Sequence, residues 1–440
     1  MEWRFNENII TSAGSDHSRL GAALWGVGEE ALVIEAEDRA ILRRLAAEVA
    51  ELAARPVEAE KRALWTAHND LQPTRPVIFC DPENGWTEII PPRTLQCRHW
   101  VARQWEMTLR KEIFWGARMG DDYVIEPAFR VPHVYAEMDW GLADHKLGGE
   151  MGGTTAVTWE SPIKTLADVE KLHAPEIRVD RAATQCVADL AESIFGDLLR
   201  VQLHTFWWWT LGMTMNFVFL RGLTQMMYDF TENPDLIHRV MTVLRDGTQS
   251  MLDQLEAQNL LSLNTAGYVG SGGLGYTRAL PQPDFQGRVR CRDLWGFAES
   301  QETSSVSPRM FGEFIFPYQL PLLERFGLNC YGCCEPLDRR WSVVKQVPRL
   351  RRVSVSAWAD RARMAELLGD QYVYSLKPNP ADLAVDHFDE ERIRTDLRQA
   401  FQITRGCHLE VIMKDNHTLH HEPERAIRWV QIAKEEAGRV

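Results

Sequence analysis

Beyond residue 180 the chain alternates strand-like and helix-like segments at short intervals, and this rhythm constrains the fold more than anything else in the sequence. The helical "RAATQCVADLAESIFGD" (181–197) leads into "LLRVQLHTF" (198–206). Two further helical runs, the second opened by Pro234, precede "LLSLNT" (260–265), a Gly-rich loop (267–275) and "DLWGFAES" (293–300). Then "LNCYG", "RVSVSAW" (352–358), "YVYSLKP" (372–378) and "CHLEVIMKD" (407–415) follow, separated by helical stretches, and "EPERAIRWVQIAKEEAG" closes the chain. Strands joined through helices run parallel. With one or two strands upstream, such as that opening "RPVIFCDPENGWTEI" (75–89), the pattern predicts a (β/α)8 TIM barrel, with a doubly wound open sheet as the competing fold.

The strand ends favour the barrel. They carry His204 and Trp207, Glu299 and Glu302, Cys333 to Glu335, Trp358, Lys377, and Lys414 to His417. A barrel opens all of these onto one face, whereas an open-sheet site draws on fewer strands. The Ala/Leu/Glu/Arg-rich run at 38–68 reads as helix, so residues 1–70 are expected to form an added helical segment on a catalytic barrel spanning 71–440. Helices are also predicted at 96–118 and, capped and bracketed by prolines, at 161–175.

A formal net charge of −13 argues against nucleic acid or an anionic membrane as the main partner. The first residues lack a basic stretch followed by an apolar core, and the apolar cluster at 204–220 is interrupted by polar residues, so a cytoplasmic protein without a membrane span is expected. There the eight cysteines are expected as thiols.

Three of those cysteines crowd into "NCYGCCEPLDRRW" (329–341). Cys330 and Cys333 have redox spacing but run through a strand to its end, not at the helix start that lowers a thiol pKa. A buried strand using cysteine as a small hydrophobe suits Cys330 but not "CCEP", where Pro336 ends ladder pairing. A metal site needs ligands from other strand ends, and Glu299, Glu302, Asp415 and His417 are candidates. The Gly-rich "GYVGSGGLGY" lacks the strand–GxGxxG–helix order of a nucleotide cradle; a flexible lip or a plain connection is the expectation.

"RMFGEFIFPYQLPLLERFGLNCYGCCEPLD", "EVIMKDNHTL" with "EPERAIRWVQIAKEEA", and "GLTQMMYDFTENPDLIHRVM" together resemble the uroporphyrinogen decarboxylase-like superfamily, and within it the corrinoid-dependent methyltransferases. The resemblance covers roughly residues 160–440. It implies the same barrel, a zinc ion at the strand ends, a corrinoid (cobalamin) carried by a partner protein, and a homodimer. Such methyltransferases bind zinc through a His-x-Cys pair and a later Cys. On that pattern Cys333 matches, Tyr331 replaces the imidazole, and His417 falls near the final thiolate. Glu335, Glu299 or Glu302 would then complete a more oxygen-rich set, similar to the Glu/Glu/His sites of O-demethylating relatives.

The implied activity moves a methyl group from a small methylated compound, such as a methoxylated aromatic, to the corrinoid protein. Cys333, Glu335, His417 and Glu302 are the expected zinc ligands. His204, Lys414 and Tyr331 are the expected catalytic groups, and Trp207, Glu299 and Trp358 are expected at the substrate. A tetrapyrrole decarboxylase is the alternative, weakened by the missing arginine-rich amino-terminal signature; a methylcorrinoid:thiol methyltransferase and a non-catalytic metal-binding barrel are others.

Overall fold

The computed structural model describes residues 16–142, 145–147 and 158–439. Eight strands of four to six residues carry the architecture: β1 (Val77–Cys80), β2 (Ala128–Val131), β3 (Arg200–Leu203), β4 (Trp295–Ala298), β5 (Leu328–Tyr331), β6 (Leu350–Val355), β7 (Val373–Leu376) and β8 (His408–Met413). Six form one parallel sheet in the order β1-β8-β7-β6-β5-β4, and β2 and β3 form a separate parallel pair. The fold is thus mixed α/β with a central six-stranded parallel sheet. Two short antiparallel pairs, 134–135 with 179–180 and 145–147 with 158–160, lie between β2 and β3 in the chain.

Backbone ladders do not run around the whole set of described strands. Between β1 and β2 the edge is satisfied largely by side chains: Asp122 accepts from Ile78 N (2.8 Å) and Asp121 accepts from Cys80 N (3.0 Å), while Asp122 N donates to Ile78 O (2.8 Å). The strand expected over 260–265 does not form. In its place Asn264 alone imitates a ladder on β4, accepting from Trp295 N and donating to Trp295 O, both at 3.0 Å. A side-chain amide that takes over backbone bonding removes the reason for the segment to extend.

The helices follow the expected spacing, broken where proline requires it. The run at 38–68 splits into Ala36–Ala53 and Pro56–Asn69, with Pro56 in the first turn of the second helix, where its missing N–H costs nothing. The helix expected at 161–175 is only the single turn Leu166–Val169. Among the described residues no helix is long and apolar enough to cross a membrane.

The amino-terminal helices do not stand apart from the sheet. Trp65, His68 and Asn69 are fully buried, and His68 Nε2 lies 3.2 Å from Glu410 Oε2 of β8. Glu410 also pairs with Arg352 Nε of β6 (2.9 Å) and accepts from Ser375 Oγ of β7. Arg352 Nη2 donates to Asn69 Oδ1 (2.7 Å) and to Leu274 O (3.1 Å), and Asn69 Nδ2 donates to Leu274 O and Tyr276 O, both at 2.8 Å. Helix, sheet and the 267–276 loop therefore meet on one buried ion pair.

That loop is not a flexible lip. Residues 271–276 are buried, and the loop passes over the inner residues of four strands. A Cβ at Gly270 (φ +66°) would stand 2.9 Å from Cys330 Cβ; one at Gly272 (φ +101°) 2.8 Å from Ile412; one at Gly273 (φ +112°) 3.0 Å from Arg352 Cζ. Both the left-handed backbone and the lack of space require glycine here.

Two outcomes are expected. Gly273→Ala, which adds a methyl at positive φ against Arg352, should lower unfolding free energy by about 2–4 kcal/mol in urea melts. Burial pushes the Glu410 carboxyl up, but Arg352, His68 and Lys377 outweigh it and hold it at about 2. A depressed folded-state pKa gives stability that is present above the unfolded value near 4.3 and lost as pH falls toward 2. Unfolding free energy should therefore drop by about 3 kcal/mol across that window, and Glu410→Gln should abolish this component of the slope.

Candidate functional site

The carboxyl ends of β5, β8 and β1 converge on one group of sulfurs and charges. Gly332 (φ +92°) turns the chain out of β5; a Cβ there would meet Leu337 Cδ1 at 2.6 Å. The turn presents Cys333 and Cys334 with their sulfurs 3.7 Å apart and both thiols free. From β8 comes Lys414, buried, with Nζ 4.0 Å from Cys333 Sγ and 2.7 Å from Asp415 Oδ1. Asp415 (φ +60°) points back, so that Cys334 donates to its Oδ2 at 3.6 Å. From the end of β1 comes Glu83, which accepts from Asp415 N (3.1 Å) and lies 3.7 Å from Lys414 Nζ. Ser271 of the glycine loop donates to Cys333 Sγ at 3.2 Å.

The electrostatics follow from this packing. The hydrogen bond with Cys334, the Lys414 ammonium and the Ser271 hydroxyl outweigh burial and bring the Cys333 thiol down to about 6. Cys334 is pushed up, by its bond to Cys333 and by burial. Burial opposes the Lys414 charge, but Cys333, Glu83, Tyr268 and Asp415 more than offset it and raise its pKa. Burial raises Glu83 to about 8 against the pull of Lys414. The state this favours near neutrality is a Cys333 thiolate facing an ammonium.

The expected residues divide into those brought together here and those used elsewhere. Cys333 and Lys414 are central. Glu335 is buried and supports the turn: its carboxylate accepts from Ser300 N (2.8 Å) and Cys333 N (2.9 Å), and burial with the Cys333 charge raises it to about 7. Glu302 accepts from Thr214 Oγ1 (2.6 Å). Glu299 is buried and accepts from Gln301 N (2.9 Å), while its Oε1 has no partner; burial, Glu302 and Glu335 raise its pKa strongly. Tyr331 turns outward, donating to Gln319 Oε1 (2.7 Å). His417 is exposed, 3.2 Å from Asn84 Nδ2, and Asp415 takes the place expected for it beside the sulfurs. Trp358 is 70% exposed. Lys377 is buried on Ser375 (2.6 Å), and burial lowers it to about 8.

His204 and Trp207 line a separate cleft with Trp208, Trp209, Trp295 and Phe297. It adjoins the sulfurs: Val269, Trp209, Trp295 and Phe297 pack in one apolar cluster with Cys330, Cys333 and Cys334.

Asp415 was a candidate ligand from its strand end, whereas Glu83 and Ser271 complete the cluster without being among the expected site residues. Glu83 had the same signal as the others, an acid directly after a strand. Ser271 had none beyond its glycine neighbours.

No family model matches the chain, and no curated protein matches it.

Among the described residues no three His, Cys, Asp or Glu side chains converge on a metal-sized site as they stand. The donor chemistry nevertheless fits zinc at Cys333, Cys334 and Asp415, two sulfurs and a carboxylate linked by contacts of 3.7 and 3.6 Å. Buried Glu299 also leaves its Oε1 without a hydrogen-bond partner.

After chelator treatment, alkylation of Cys333 by iodoacetamide should reach half its limiting rate near pH 6. Lys414→Met should move that midpoint upward, read by peptide mass spectrometry.

Proposed function

We propose that this chain is a zinc-dependent methyltransferase that moves a methyl group from a small methylated compound to a corrinoid carried by a partner protein. The observation that carries this reading is the gathering of an acidified thiol, a second thiol and a carboxylate from two distant strand ends beside an aromatic cleft. The fold proposed with it is a (β/α)8 barrel. In its support, the first strand pairs in parallel with the last, Val77 through Cys80 against Glu410 through Met413, and β4 to β8 neighbour one another in chain order.

Cys333, Cys334 and Asp415 would hold the metal. Zinc there would supply a Lewis acid for the heteroatom that gives up its methyl group, the point at which an ether or amine resists displacement. The chain's own residues do the rest. Ser271 and Lys414 keep Cys333 deprotonated and oriented. Glu83, raised to about 8, retains a proton near neutrality and is placed to return one through Lys414 to the departing oxygen or nitrogen. Glu335 fixes the Cys333 turn through its two backbone bonds.

The test measures zinc by atomic emission and methyl transfer to cob(I)alamin from a panel of methyl ethers and methylamines. Cys333→Ser, Cys334→Ser and Asp415→Asn should each lower bound zinc and transfer together, by tenfold or more. Full zinc content in all three variants removes the ligand assignment, and no transfer from any donor by the zinc-loaded protein removes the activity.

A further inference from the structure

The aromatic cleft carries information about charge. Among the described residues no Asp, Glu, Lys or Arg lines it, His204 and Tyr268 being its titratable groups, although the cluster it adjoins is full of charged side chains. The glycine loop makes the partition. Tyr268, Val269 and Gly270 form one wall of the cleft, while Ser271, the next residue, bonds to Cys333.

The cleft's polar atoms are mostly used internally. Trp207 Nε1 donates to Leu260 O (3.0 Å), Trp295 Nε1 to Gly275 O (2.9 Å), Asn264 binds both backbone groups of Trp295, and Thr205 accepts from His133 N (2.8 Å). Two donors stand apart. Trp208 and Trp209 are half-buried in the lining, edge-on to Phe326 (6.0 Å) and Phe297 (5.7 Å), and among the described residues neither indole N–H has an acceptor.

An ionised carboxylate or ammonium entering such a wall gives up water without gaining a counter-charge. Indole faces attract cations, but without a carboxylate in the lining that attraction acts alone against desolvation. A flat neutral ring meets the walls by stacking, and an oxygen on it can accept from an indole N–H that has no acceptor within the described residues.

We propose that this cleft is the substrate subsite and that it selects an uncharged aromatic methyl ether, held by the indole N–H groups of Trp208 and Trp209, over carboxylated or ammonium-bearing analogues. The assignment rests on the methyl-transfer reading for the word substrate, but binding is measured without turnover. Calorimetric titration of the full-length protein compares 1,2-dimethoxybenzene with 3,4-dimethoxybenzoate and phenyltrimethylammonium. The neutral ether should bind at least tenfold more tightly than either charged probe. Trp208→Phe and Trp209→Phe, which keep a ring and remove the donor, should each weaken it severalfold, with near-UV circular dichroism confirming the fold.

Equal or tighter binding of a charged probe overturns the proposal. So does the absence of binding by all three, or undiminished binding of the ether in the folded double variant Trp208→Phe/Trp209→Phe. Selective binding of the ether without methyl transfer leaves the cleft's selectivity standing and sinks the methyltransferase reading. Methyl transfer from a charged donor that the ether does not inhibit does the reverse.

Discussion

The ion pair between Arg352 and Glu410 is the contact on which the rest of the interior depends. A buried guanidinium must have its charge balanced, and removing one member of such a pair costs several kcal/mol. Arg352 balances its charge and fills Nη2 by drawing on distant parts of the chain: Glu410 of β8 as counter-charge, Asn69 of an amino-terminal helix, and the carbonyl of Leu274, while Nε, 2.9 Å from Glu410, makes no hydrogen bond. Its plane also lies over the rings of Trp295 (5.3 Å) and Trp65 (6.0 Å). The carbonyl at 274 ties the glycine loop into the interior. From there Ser271 reaches Cys333, and Val269 and Gly270 wall off the aromatic cleft. One buried charge pair thus positions a hydroxyl at the carboxyl end of β5.

The strands of the large sheet were legible because each is a short apolar run between helical segments, a pattern that backbone and burial both demand. The 260–265 segment was not. It has strand composition, but Asn264 satisfies the edge of β4 with its side chain, and no pattern of apolar residues distinguishes an asparagine that does this from one that faces solvent. The glycine loop was misread for a related reason. Glycines suit both a mobile surface loop and a backbone pressed against side chains, and only the partners at 270, 272 and 273 decide between them. Likewise the helical spacing before residue 70 was plain, but that His68 and Asn69 enter the interior depends on Glu410 and Arg352, nearly 300 residues or more away in the chain.

At the site, Cys333 and Lys414 come together because each lies just past the carboxyl end of a parallel strand. His417 does not join them. The left-handed backbone at Asp415 reverses the chain and brings that carboxylate, not the imidazole two residues on, toward the sulfurs. Tyr331 fails as a replacement for an imidazole on simple strand alternation. Cys330 faces Arg352 and the glycine loop, so its neighbour faces the helix carrying Gln319. Glu335 reads as a ligand by type and proximity, yet two backbone N–H groups engage its carboxylate.

What distinguishes this site is the separation of charge from apolar surface over a very short stretch of chain. On one side of the 268–271 backbone stand a thiolate, a carboxylate, a protonated carboxyl and an ammonium; on the other stand aromatic rings and, among the described residues, no Asp, Glu, Lys or Arg. A side chain at 270 or 272 would push the loop away from the sheet and let water join the two sides. Water there would screen the Lys414–Cys333 attraction, and the thiol would lose the acidity that contact gives it. The glycines therefore act on the chemistry indirectly, by keeping the boundary thin and dry. The proposed transfer requires that arrangement, since a neutral methyl donor must lie within reach of a charged centre without bringing solvent along.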